Sequence, residues 1–169
     1  MQYLLLGGSK SGKSRYGEKL AFAHNKNLIY FATMIPSDEE DLLRIQKHRQ
    51  QRLNYGFKTI EAVVNLSSYQ ILGTCALVDS VTSILNDTCY KKTCSHLEIV
   101  DDLLAIKADD CIYVSDLCFS EGMHNEYCEA WKKQLGEINQ RLAKACDVVL
   151  YFNAGIPVCL KGAEKWLKV

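Results

Sequence analysis

Proline is almost missing from this chain of 169 residues: only Pro36 and Pro157 occur. No repeat, low-complexity tract or Gly/Ser-rich linker marks a boundary, so one domain spanning residues 1–169 is expected. Excess charge of either sign is missing too. The 20 Lys and Arg residues balance 20 Asp and Glu residues, so no basic field draws the protein to nucleic acid or to a membrane surface. The N-terminus lacks a charged-then-apolar leader signature. Long apolar runs are absent. The longest uncharged stretch, Ala62 to Val78, carries Asn65, Ser67, Ser68, Gln70 and Thr74 and makes a poor membrane span. The eight cysteines form no Cys-x-x-Cys pair. A reducing, cytoplasmic setting with free thiols is therefore expected, with Cys75 and Cys111 acting as small hydrophobes. Cys89, Cys94 and His96 are the only grouping whose spacing admits a structural zinc.

What is present is concentrated near the start. Tyr3-Leu4-Leu5-Leu6 reads as a short buried strand. Gly7-Gly8-Ser9-Lys10-Ser11-Gly12-Lys13-Ser14 follows, and a helical segment runs from Lys13 to about His24. This is the Walker A pattern in its strand–loop–helix setting. Glycines let backbone N–H groups converge on phosphate oxygens, and the helix adds its positive end. Lys13 is placed to reach the β- and γ-phosphates, and the Ser14 hydroxyl suits Mg²⁺. The plainer reading is a Gly/Ser-rich turn between a strand and a helix.

Further strands are expected at Leu28–Ala32, Lys58–Ala62, Cys75–Asp79, Cys111–Ser115 and Val148–Phe152, with one more near Pro157–Leu160. Helical periods fall at Asp38–Tyr55, Val81–Thr88, His96–Lys107 and Asn125–Cys146. This alternation predicts an α/β fold of the P-loop NTPase (RecA-like) kind, a mostly parallel sheet with helices on both faces. Ligands bind such sheets at the C-terminal strand ends. That points to the P-loop, Thr33, Asp79 and Asp116.

The second helix carries the next signal. Ser37-Asp38-Glu39-Glu40 reads as a capping box and Gly56 as a stop. Leu42, Leu43, Ile45 and Leu53 are expected to face the core. Arg44, His48 and Arg52 recur every four residues along the edge of that face. Flanking cations hold an imidazole neutral and nucleophilic while attracting phosphate. The competing reading is a solvated basic face that happens to contain a histidine.

Cys75-Ala76-Leu77-Val78-Asp79 has the form of a Walker B strand whose carboxylate holds Mg²⁺ beside Ser14. Cys111 to Asp116 has nearly the same form. Asp79 is favoured because its apolar run reaches the carboxylate unbroken. Either Asp could instead simply cap the next helix. The guanine-specific Asn-Lys-x-Asp motif is absent, and so is the protein-kinase His-Arg-Asp loop.

Together these residues resemble the bifunctional adenosylcobinamide kinase / adenosylcobinamide-phosphate guanylyltransferase family of cobalamin biosynthesis. Gly7 to Arg15 is similar to that family's Gly-Gly-x-Arg-Ser-Gly-Lys-Ser-Arg opening, and Glu18 falls where a Glu is usual. Tyr30-Phe31-Ala32-Thr33 resembles its Tyr-Ile-Ala-Thr segment. Arg44-Ile45-x-x-His48-x-x-x-Arg52 resembles its His-containing signature, and Thr59-Ile60-Glu61 its Thr-x-Glu. The Val78 to Asn86 stretch and Asn139-Gln140-Arg141-Leu142-Ala143 match further segments.

The resemblance implies two reactions. A nucleoside triphosphate, ATP or GTP, phosphorylates the aminopropanol hydroxyl of adenosylcobinamide. A histidine then attacks the α-phosphate of GTP and passes GMP to adenosylcobinamide phosphate, giving adenosylcobinamide-GDP. Carried over by position, His48 is the guanylylated nucleophile and Lys13 the second catalytic residue. Gly7 to Ser14, Ala32, Thr33, Met34, Arg49, Gln50, Gln51, Arg52, Glu61 and Asp79 line the nucleotide site. Ser14 and Asp79 serve Mg²⁺. A homo-oligomer is the expected assembly.

The chain departs from the family pattern at three places. Lys10 replaces an Arg, and Ser80 replaces a Cys. Ser115-Asp116-Leu117-Cys118-Phe119 replaces a Ser-Asn-Glu-Val-Gly type of segment, without the Val-Pro that commonly follows. Two other readings stand beside the bifunctional enzyme. One is a P-loop kinase for a small metabolite, without a covalent GMP intermediate. The other is a nucleotide-binding module that has lost turnover, which the departure at Asp116–Phe119 motivates.

Overall fold

The computed structural model describes residues 1–91, 93–117 and 126–162, with all their side chains except those of Arg44, Gln51 and Tyr90. Seven strands form one sheet: β1 (Gln2–Gly7), β2 (Asn27–Ala32), β3 (Lys58–Glu61), β4 (Thr74–Asp79), β5 (Asp110–Asp116), β6 (Val148–Asn153) and β7 (Ile156–Lys161). The helices are α1 (Lys13–Ala23), α2 (Glu39–Arg52), α3 (Val81–Lys91), α4 (His96–Leu104) and α5 (Glu126–Ala145). All seven expected strands are present, to within a residue or so at each end. Asn125, the expected start of the last helix, lies outside the described residues.

The strand order is β3-β2-β4-β5-β1-β6-β7. Every pairing is parallel except β6 with β7, which the tight turn at Ala154-Gly155 makes antiparallel. Residue parity divides the core. Tyr3, Leu5, Leu28, Tyr30, Cys75, Leu77, Ile112 and Val114 pack on one face with Tyr16 and Leu20 of α1. Leu4, Leu6, Phe31, Ala76, Val78 and Tyr113 pack on the other with Ile84 of α3, Leu103 of α4 and Ile138 of α5. Strands buried on both faces read as unbroken apolar runs, as these do.

Register decides what stands at the C-terminal rim. Ala32 pairs with Glu61 on one side and with Asp79 on the other. Gly7 pairs with Asp116 and with Phe152. One rim therefore carries Glu61, Ala32, Asp79, Asp116 and the start of the P-loop in spatial order.

Helix α2 departs from expectation. Leu42, Leu43 and Leu53 are 55, 67 and 75% exposed, and Ile45 is only half-buried, so they make no core stripe. Among its described side chains the buried one is Arg52, 5% exposed at the last position. Four-residue periodicity identifies a face but not what covers it. Here the leucines lie exposed, and the helix meets the sheet through Arg49, which pairs with Glu61 of β3, and through buried Arg52. Its cap also differs from the expected box: Asp38 accepts the Asp41 N–H at 2.8 Å, and Asp41 accepts from Ser37 Oγ at 2.9 Å. Gly56 ends the segment at a φ of 73°.

The Asp102 carboxylate on α4 accepts from the Leu66 N–H at 2.8 Å, the Ser67 N–H at 3.0 Å and Ser67 Oγ at 2.6 Å. This ties the crossing between β3 and β4 to the helical layer. Asp102→Ala strands those donors and is expected to lower unfolding stability by about 1–3 kcal/mol, measured by urea denaturation. A midpoint equal to wild type would show that water serves the turn equally well.

Candidate active site

The loop from Gly7 to Ser14 leaves β1 at the rim and opens α1. Gly7 is required sterically: a Cβ there would lie 2.7 Å from the Phe152 carbonyl oxygen and 2.8 Å from Ser11 Oγ. Gly12 caps α1 at a φ of 92°, in the left-handed region. The turn closes with the Ser11 N–H donating to the Gly8 carbonyl at 3.3 Å. Ser9 and Lys10 are exposed on the outside of the loop.

Lys13 is 5% exposed. Its Nζ donates to the Gly7 carbonyl at 2.9 Å, the Gly8 carbonyl at 2.7 Å and Asp116 Oδ1 at 2.8 Å. A buried ammonium is tolerated only with such a set of acceptors. Asp116 was the rival to Asp79 on sequence grounds, and the fold uses both. Their strands are adjacent, so one carboxylate faces Lys13 and the other faces Ser14. Ser14 Oγ donates to Asp79 Oδ1 at 3.1 Å, and the Tyr30 hydroxyl donates to Asp79 Oδ2 at 2.9 Å. Burial, then the neighbouring Asp79 charge, pushes the Tyr30 phenol well above its usual range, so it stays a proton donor.

Arg52 closes the arrangement from the α2 side. Its guanidinium carbon stands 3.5 Å from the centroid of the Tyr30 ring. Its Nη1 is buried without a hydrogen-bond partner among the described residues. His48 lies one turn earlier on the same helical face and is half-buried. Arg49 pairs with Glu61 of β3 at the surface. A cavity of about 250 Å³ is lined by Arg49, Arg52, Leu53, Gly56, Phe57 and Thr59. Thr33 is buried, with Oγ1 donating to the Ser80 carbonyl at 2.8 Å. Ala32 ends β2 beside Asp79, Met34 is half-buried, and Gln50 is exposed. The Gln51 side chain and residues Cys118 and Phe119 lie outside the described residues.

The fold therefore brings Lys13, Ser14, Asp79, Thr33 and Arg52 to one rim, and sets Arg49 and Glu61 at its outer edge. Sequence reasoning pointed to Asp116 only as a strand-end residue and as the less favoured rival to Asp79, and it gave Tyr30 no role in the site. A tyrosine two positions before a strand end, with the parity of the α1 face, was the available signal for Tyr30. Cys89, Cys94 and His96 form no metal site. Cys89 Sγ donates to Gln134 Oε1 at 3.0 Å, and His96 Nε2 pairs with Glu137 Oε2 at 2.7 Å. Among the described residues no group of three or more His, Cys, Asp or Glu is placed to hold a metal. Mg²⁺ makes no such demand, because it keeps waters and substrate phosphates and takes one or two protein oxygens. Ser14 Oγ and Asp79 Oδ1 are two adjacent hard oxygens that fit it.

Glu18 of α1 is 3% exposed behind this network. Burial raises its carboxyl to about 7; Asp79 adds to the rise, and Arg52 and Arg15 oppose it. The folded state thus holds this proton more tightly than the unfolded chain. The resulting stability is fully present below about pH 4.5 and is lost as pH rises through about 7. Wild type is expected to lose urea resistance over that window relative to Glu18→Gln, which cannot ionise. Parallel curves for the two proteins would mean that Glu18 is ionised throughout.

Comparisons with known proteins agree with the fold and identify the family. By sequence, the chain is 30% identical to the bifunctional adenosylcobalamin biosynthesis protein CobP of Pseudomonas aeruginosa, across 96% of this chain and 98% of that protein. It is 27% identical to the bifunctional adenosylcobalamin biosynthesis protein CobU of Salmonella typhimurium, across 95% of this chain and all of that protein. In structure it resembles an ATPase of a bacterial type III secretion system, with a TM-score of 0.50 and 11% identity. That likeness covers 99% of this chain and 60% of the ATPase chain, and concerns the P-loop ATPase fold alone. No helix among the described residues is long and apolar enough to cross a membrane. Residues 3–160 match the family described as cobinamide kinase / cobinamide phosphate guanyltransferase, so the chain belongs to that family of transferases of cobalamin biosynthesis.

Proposed function

We propose that this chain, acting as a single domain, carries out both reactions of its family and that His48 is the residue on which GMP is carried. The observation that supports this most is Arg52. It is a buried guanidinium with an unpartnered nitrogen, stacked on Tyr30, whose hydroxyl is bonded to Asp79. A buried cation with an open donor is a place for an anionic oxygen. His48 stands one helical turn away on the same face, so a triphosphate reaching Arg52 brings its phosphorus atoms toward the imidazole.

In the kinase half, nucleoside triphosphate lies along the P-loop with Lys13 on its terminal phosphates, and adenosylcobinamide offers the aminopropanol hydroxyl. Gly7 to Ser14 supply backbone donors. Ser14 and Asp79 would hold Mg²⁺, which would supply neutralisation of charge on the phosphate oxygens. In the guanylyltransferase half, the imidazole nitrogen of His48 attacks the α-phosphorus of GTP and pyrophosphate leaves. Arg52 and Arg49 stabilise the charge that develops, and the phosphate of adenosylcobinamide phosphate then takes the GMP. Ala32, Thr33, Met34, Gln50, Gln51 and Glu61 surround the nucleotide in this reading. A cytoplasmic assembly of identical chains is part of the proposal. The exposed leucines of α2 supply an apolar face that supports the assembly.

GTP labelled at the α-phosphate is expected to leave an acid-labile, base-stable label on the protein in Mg²⁺, and His48→Ala to abolish it. Lys13→Ala is expected to lower both this labelling and transfer from the γ-phosphate by at least about 100-fold, through lost phosphate stabilisation. Phosphorylation of cobinamide without any labelled protein would leave a plain kinase. Tight GTP binding with neither product would leave a binding module.

A further inference from the structure

The two carboxylates at the rim are not equivalent. Asp79 has both oxygens engaged by hydroxyl donors, Ser14 on one and Tyr30 on the other. Asp116 gives Oδ1 to Lys13, and its second oxygen takes no hydrogen bond among the described residues. Its side chain is 32% exposed, against 6% for Lys13, so it faces the open crevice.

The backbone beneath Asp116 is held on three sides. Its N–H donates to Thr82 Oγ1 of α3 at 2.9 Å, and its carbonyl accepts from Asn139 Nδ2 of α5 at 3.0 Å. Asn139 also accepts from Ser115 Oγ at 2.7 Å. The next residue, Leu117, donates its N–H to the Gly7 carbonyl at 3.0 Å. The carboxylate is thus fixed relative to the first glycine of the P-loop, and it reaches the lysine that meets the terminal phosphates.

Resting on the kinase half of the function proposed above, we propose that Asp116 is the general base of phosphoryl transfer. Nucleotide phosphates draw Lys13 to themselves, which releases the carboxylate toward the acceptor. The acceptor hydroxyl oxygen forms a bond to the γ-phosphorus. The bond from that phosphorus to the β–γ bridging oxygen breaks, and its electron pair leaves with the nucleoside diphosphate. The hydroxyl proton passes to Asp116 and from there to water. Asp79, with both oxygens committed, keeps its place beside Ser14. The two halves of the enzyme then depend on different side chains, Asp116 for the hydroxyl acceptor and His48 for GMP.

The test uses the full-length protein, with γ-labelled nucleotide and cobinamide for one reaction and α-labelled GTP for the other. In Asp116→Asn, kcat for phosphorylation is expected to fall at least about 100-fold, while nucleotide KM and His48 labelling change no more than about threefold. Asp116→Glu, which keeps a carboxylate, is expected to phosphorylate at least about tenfold faster than Asp116→Asn. Equal rates in these two variants, or phosphorylation by Asp116→Asn within about threefold of wild type, would overturn the assignment. So would an equal loss of phosphorylation, labelling and nucleotide affinity, which would mark a residue that only supports the loop. If circular dichroism shows Asp116→Asn unfolded, Asp116→Ser takes its place in the same comparison. If wild type transfers no phosphate to cobinamide, the underlying function falls and this role with it. If wild type is active and Asp116→Asn keeps its rate, only the role of Asp116 falls.

Discussion

A buried ammonium group organises this protein. Lys13 sits at the base of α1 almost out of contact with water, and a cation there is stable only among well-placed acceptors. The end of β1 supplies two carbonyls, and the neighbouring strand β5 supplies a carboxylate at the same height. The geometry needs parallel strands in register, because only then do Gly7 and Asp116 reach the rim together. The same register brings Asp79 beside Ser14. Burial of apolar residues on both sheet faces, the dominant stabilising force, therefore also sets the spacing of the charged groups above the sheet.

The charges form a line from the P-loop to the second helix. Lys13 is paired with Asp116, and Ser14 and Tyr30 share Asp79. Arg52 lies over Tyr30, and Glu18 lies behind them all. Tyr30 links the line because its two ends differ chemically: the hydroxyl is polar, and the ring face attracts a cation. Helix α2 joins the body of the protein at this point. Its leucines are exposed along its length, while its buried Arg52 lies at the site and Arg49 pairs with Glu61 of β3.

Much of the fold could be read in advance. The strands β1, β2, β4, β5 and β6 are buried on two sides and were visible as continuous apolar runs, whereas the edge strands β3 and β7 are largely exposed. The P-loop was visible because its chemistry demands glycines, a lysine and a serine at fixed spacing. The Cys75–Asp79 and Cys111–Asp116 strands looked alike because both are central strands that end in a carboxylate. Choosing between them was unnecessary, since their adjacency lets both serve. The leucines of α2 misled because an amphipathic period shows that a helix has an apolar side but not that anything in the chain covers it. Tyr30 and Glu18 were seen only within family-like segments, and their roles were not read, since one looks like a strand residue and the other like a helix surface residue.

Local chemistry is written in the chain itself: which segments extend, which coil, where a phosphate can be cradled, and which histidine lies between arginines. Those properties depend on neighbours in sequence, so the sequence alone determined them. The pairing of Lys13 with Asp116, of Ser14 with Asp79, and of Arg52 with Tyr30 joins residues far apart along the chain. Strand order and register decided those pairings, because hydrogen bonds and ion pairs form across a few ångströms of space whatever the distance along the backbone.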